Sequence, residues 1–271
     1  MVLELLINPR NAERRPWKML FVGILYSSVA ILLSLWVFPE QSSLVMVFIT
    51  VLASIHIVHS VIKIEEAQNL SGEYRMLIKE HGPALSFFMF LFLGYVISFS
   101  VWYVATPAEI TTTLFSVQQD TISRINSQVT GSFAGAFPMV GRIFFNNIRV
   151  MVFCILFSFA FGAGAIFILA WNASVISTAI GSFASNSLHQ GILPAFTLAL
   201  LRYLTHGIPE ILAYFMAGLA GGIISIAIIR HEWGSERFTR VLLDSVDLSA
   251  GAVAMLFAAA LVEVYVTPAL F

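Results

Sequence analysis

The chain is built from windows of nearly pure hydrocarbon, each about as long as a bilayer core is thick. Six stand out, at residues 17–38, 44–62, 84–106, 148–171, 208–229 and 250–267. A helix of about 20 residues rises 30 Å and satisfies its own backbone hydrogen bonds, as lipid demands. A shorter stretch at 192–204 reads as a further crossing. The more hydroxylated 173–189 reads as a re-entrant or interfacial helix. Only 11% of the residues are charged, against about 25% in soluble domains. The expected fold is therefore all-α, a polytopic integral membrane helical bundle of about seven spans, with the lipid bilayer as its first partner. A net charge of -1 lacks the basic footprint of a nucleic-acid binder. The single Cys154 lies in an apolar window and reads as a small hydrophobe. The first window is too long for a signal-peptide core and has no small-residue cleavage site, so it is expected to be retained.

Basic residues in short loops set the orientation. Arg10, Arg14, Arg15 and Lys18 place the N-terminus inside, and Lys63, Arg75 and Lys79 bring the second loop back there. The third window then exits, which puts residues 107–147 outside. Arg230, Arg237 and Arg240 favour an inner loop at 230–248, which requires 192–204 to cross and 173–189 not to cross. Three regions result: an N-terminal three-helix membrane region at 1–106, an extracytoplasmic amphipathic segment at 107–147, and a membrane core at 148–271.

The outer segment opens on Thr106-Pro107-Ala108-Glu109, the pattern of a capping box with proline at the first helical position. Ile110, Leu114, Val117, Ile122, Ile125 and Val129 follow at near-helical spacing, so an amphipathic helix is expected. It either packs on the bundle or docks an extracytoplasmic partner. Gly218 and Gly222 form a Gly-xxx-Gly pair, Ala160 and Gly164 repeat the spacing, and so do Ala250, Ala254 and Ala258. Such stripes let helices approach closely, within one chain or across a homodimer.

Against this hydrocarbon stands a polar set: Asn146, Asn147, Arg149, Asn172, His206, Glu210 and Glu263. Lipid offers these groups no water, so each needs a protein partner or a wet cavity. The expected arrangement is one mutually satisfied cluster at the ends of helices, with Arg149 paired to Glu210 or Glu263. His206 and Glu210 flank Gly207 and Pro209, which reads as a tight turn between two helices or as a titrating pair in a cavity. Asn172 reads as the inner end of its helix. Ser174, Ser177, Thr178, Ser182 and Ser185 either line a polar path or fill helix contacts. His56 and His59 stand three residues apart without a carboxylate or thiol to complete a metal site, so neither metal nor cofactor is expected. No His-Glu-x-x-His, Gly-x-Ser-x-Gly or phosphate-cradling loop is present, and the aspartates fall in expected loops. An enzyme is not expected.

The run from Asn146-Asn147-Ile148-Arg149 through Asn172, His206-Gly207-Ile208-Pro209-Glu210 and Ala217-Gly218-Leu219-Ala220-Gly221 to Glu263 and Thr267-Pro268 resembles the stage II sporulation protein M family over residues 140–268. Thr205 stands where that family carries proline, and Ala173 where it carries glycine. The opening at residues 7–17 resembles an archaeal branch. The resemblance implies a multi-spanning membrane protein without established enzymatic activity. In spore-forming bacteria the family works with cell-wall hydrolases at a membrane being remodelled. Two functional readings follow: a scaffold or partner in envelope remodelling, and a transporter or channel with a polar site near His206 and Glu210.

Overall fold

A computed structural model describes residues 15–68, 77–130, 136–186, 191–230 and 234–270. Arg10, Arg14, Arg75 and His189 lie outside them. Helix α1 covers Lys18–Val37 and turns through a short 3-10 stretch at Pro39–Gln41 into α2, Ser42–Gln68. Then come α3 (Leu77–Ala105), the short α4 (Ala108–Leu114), α5 (Ser116–Thr130), α6 (Ala136–Phe161) and α7 (Ala165–Asn186). The 38-residue α8 covers Ile192–Ile229. Helix α9, Glu236–Leu261, runs through a π-helical turn at Val262–Val266 into α10, Thr267–Leu270.

Among the described residues, seven helices are long and apolar enough to cross a membrane. The chain is an all-helical polytopic bundle. The number matches the expected one, but the second half is partitioned differently. The window expected at 148–171 is two helices. Helix α6 begins at Ala136, and the chain breaks at Gly162, whose φ of +72° suits glycine and few other residues. Of the stretch 173–189, residues 173–186 belong to a full span, Ala165–Asn186, and the remainder lies outside the described residues. The two segments 192–204 and 208–229 are one helix. Pro209 removes one backbone hydrogen bond from it without ending it.

Helix α8 is the axis of the second half and packs on α6, α7 and α9. Its small residues are spent on these contacts. A Cβ at Gly218 would stand 2.7 Å from the Ala165 methyl, and one at Gly222 would stand 2.8 Å from the Gly162 carbonyl. The Gly-xxx-Gly stripe is thus internal. Ala160 and Gly164 do not share a stripe. Ala160 is exposed on α6, whereas Gly164 lies in the break against the Phe157 backbone. Ala250, Ala254 and Ala258 are exposed on α9.

The expected capping box does not form. Pro107 is extended, with ψ of 149°. The Thr106 hydroxyl donates back to the Trp102 carbonyl at 2.7 Å. The amphipathic segment is an elbow, broken at Phe115, and it is clamped to the bundle. Gln118 is completely buried. Its side-chain amide donates to the Ser43 carbonyl and the Ser174 hydroxyl, both at 3.2 Å, and accepts from the Ser43 hydroxyl at 2.7 Å. One amide thereby joins α2, α5 and α7.

Candidate functional site

The candidate site forms where α6, α8 and the π turn meet. Asn147, 6% exposed, points inward from α6. Its amide donates to the Glu210 carboxylate on α8 at 2.6 Å. Glu263, on the π turn, lies within electrostatic range of Glu210, as does the Tyr214 hydroxyl one helical turn further along α8. His206 reaches Thr267 across the same gap, Nδ1 to Oγ1, at 3.2 Å. The Thr267 hydroxyl also lies 3.3 Å from the Val262 carbonyl. A hydroxyl has one proton to give, so Thr267 donates either to the Val262 carbonyl or to His206, according to the imidazole tautomer.

Two helix irregularities face each other here. Pro209 leaves the Thr205 carbonyl without its amide partner. The π turn spreads five residues over one loop of helix and carries both Glu263 and, just beyond it, Thr267 towards α8. Such turns recur at functional sites because they re-aim side chains. The outcome is a polar knot inside the bundle with two carboxylates and, among the described residues, no cation paired to either.

The knot holds Asn147, His206, Glu210 and Glu263 from the expected set and leaves out the rest. Asn146 and Arg149 are exposed on the other side of α6. Arg149 makes no ion pair with Glu210 or Glu263, because two residues along a helix turn a side chain to the opposite face. Asn172 lies inside α7, not at its end, and its amide donates to the Ile168 carbonyl one turn back at 2.7 Å. The knot is built from mid-helix groups, because α6 starts ten residues before Asn146 and α8 continues through residues 205–209. The hydroxyls of Ser174, Ser177 and Thr178 are buried and donate to carbonyls one turn earlier. They fill helix contacts. His59 stands over Gly162, where any Cβ would meet its ring. No group of three or more metal-ligating side chains occurs among the described residues.

A second polar group, unforeseen from the sequence, closes the other end. Glu65 is 1% exposed and pairs with His81 at 2.8 Å. Glu66, 0% exposed, pairs with Arg230. These residues tie α2, α3 and the end of α8 together. From sequence alone, residues 65–81 read as a charged inner loop of helical character. The readable signal was that Glu65 and Glu66 continue the helical frame of the second window.

Fold and site define a class: a helical multi-span membrane protein with an acid-rich polar knot held between irregular helices. The sequence pattern of the family described as Stage II sporulation protein M matches residues 43–268. The chain belongs to that family. The match reaches back about a hundred residues beyond the 140–268 block that carries the resemblance by eye. No curated protein and no solved structure matches the chain.

Proposed function

We propose that this protein is a non-enzymatic component of the cell membrane, N-terminus inside, that holds partner proteins at its outer face. The carrying observation is the α4–α5 elbow. Gln118 pins it to α2 and α7, while Glu109, Thr112, Thr113 and Asp120 stand exposed on it. A polar surface fixed to the spans by a buried amide suits docking better than a free loop does, because little order is lost on binding. Family membership and the missing catalytic motifs support the same reading. A photo-crosslinker at position 113 should trap a discrete set of envelope proteins. The paired substitution Glu109→Lys and Asp120→Lys should remove them, and an unchanged set would count against the reading.

One observation favours a second reading, a transporter or channel that couples to protons or cations. Glu210 and Glu263 share a site with no paired cation among the described residues, beside a proline and a π turn. Intramembrane carboxylates on interrupted helices are the usual ingredients of such coupling. On this reading, proteoliposomes carry a pH-dependent flux that Glu210→Gln abolishes. Wild-type vesicles that pass none of several ions and solutes would remove it. A mostly apolar cavity lined by α2, α3, α7 and α8, with Ser158 of α6, has a volume of about 20 Å³, room for about one water, and lends that reading no path.

A further inference from the structure

An arginine stands on the outward side of α6. Arg149 is exposed, and among the described residues it has no ion-pair or hydrogen-bond partner. It lies thirteen residues from Ala136 and twelve from Phe161, about 20 and 18 Å along the axis. Snorkelling on a three-methylene stem covers less than half of either distance. Phe145, Val152, Phe153 and Leu156 surround it with exposed hydrocarbon. Asn146, also exposed, lies one turn away on the same face. An arginine at such depth is unfavourable alone and is normally paired.

We propose that this face of α6 docks a transmembrane helix of another protein carrying a carboxylate at mid-depth, which Arg149 binds with Asn146 beside it. The proposal deepens the partner-binding reading and rests on it. Charge complementarity selects the occupant. The carboxylates within this chain's own spans are Glu40, Glu65, Glu66, Glu210, Asp244, Asp247 and Glu263. Glu40 sits on the turn at the very end of its span, far from mid-depth. Glu65 and Glu66 are buried in the other polar group, and Glu210 and Glu263 turn into the knot. Asp247 is exposed, but its neighbour Ser245 is level with Ala220 of α8, whereas Asn147, beside Arg149, is level with Glu210 ten residues earlier on α8. Asp247 therefore sits about 9 Å along the axis from Arg149, towards the α8–α9 turn, and Asp244 is further still. A second copy related by a two-fold axis along the membrane normal therefore offers no free carboxylate at the depth of Arg149. Lipid phosphates lie beyond reach by the distances just given.

The test co-reconstitutes the full chain with a synthetic single-span Leu/Ala peptide in phosphatidylcholine vesicles and reads association by energy transfer. A peptide with one central glutamate should bind about tenfold more tightly than its all-apolar twin. Arg149→Leu should erase that difference, and Arg149→Glu should transfer the preference to a peptide with a central lysine. Because Arg149 is on the surface, Arg149→Leu should keep the wild-type thermal midpoint, which separates lost docking from lost folding. Equal binding of both peptides, or a difference that survives Arg149→Leu, overturns the proposal. Arg149-dependent self-association, counted by photobleaching steps without peptide, overturns it in favour of a second copy. Neither failure touches the crosslinking test at position 113, which judges the partner-binding reading separately.

Discussion

The two polar groups of the bundle solve the same problem in opposite ways. At the end of the bundle where α2, α3 and α8 meet, Glu65 and Glu66 are each matched by a basic side chain, His81 and Arg230. In the knot of Asn147, Glu210 and Glu263, two carboxylates meet an amide, and among the described residues no cation is paired to either. Burying a charge is tolerable when it is paired and hydrogen-bonded. The first group is therefore built for holding helices together. The second keeps two acids close together within the bundle with no cation beside them among the described residues, which packing alone does not explain. The comparison teaches that a functional site here is to be sought where the acids outnumber their partners.

The comparison breaks if both groups respond alike to substitution. The largest effect is expected from Arg230→Ala, which strips the cation from a fully buried Glu66. Stability in detergent should fall by on the order of 3 kcal/mol, read from denaturant unfolding. His81→Ala should lose about 2 kcal/mol, and adding Glu65→Gln should recover part of it, because a neutral amide needs no counter-charge. Glu210→Gln should change stability by under about 1 kcal/mol, since it relieves the repulsion from Glu263 while keeping an acceptor for Asn147. A loss there as large as that from Arg230→Ala would mean that the knot holds helices together as the Glu65–His81 and Glu66–Arg230 pairs do. Smallest of all is Asn172→Ala, expected within about 0.5 kcal/mol, because that amide serves only its own helix.

Much of the architecture was legible from residue type alone. Long apolar windows announce spans, and the first three lie where the sequence puts them. Gly218 and Gly222 announce a close helix contact. The misreadings share a physical cause. Proline and polar residues at 205–209 carry the marks of a turn, yet a buried helix with neighbours on several sides tolerates one lost hydrogen bond. The true break at Gly162-Ala163-Gly164 is hidden, because small apolar residues are equally at home inside spans. Gln118 was readable in part: it falls four residues after Leu114, on the apolar face of its helix, where a polar residue asks for partners. That Asn147 rather than Arg149 meets Glu210 depends on helical phase, which the sequence shows only once α6 is known to begin at Ala136. The π turn left no sequence mark, since its residues are ordinary helix formers in both settings.

The central claim is that Asn147 and Glu210 face each other inside one chain while Arg149 faces away. With Cys154→Ala as background, a short homobifunctional thiol reagent should join Asn147→Cys to Glu210→Cys within the monomer, seen by intact mass. It should leave the pair Arg149→Cys and Glu210→Cys unjoined. Equal linkage from position 149, or none from position 147, would contradict the account.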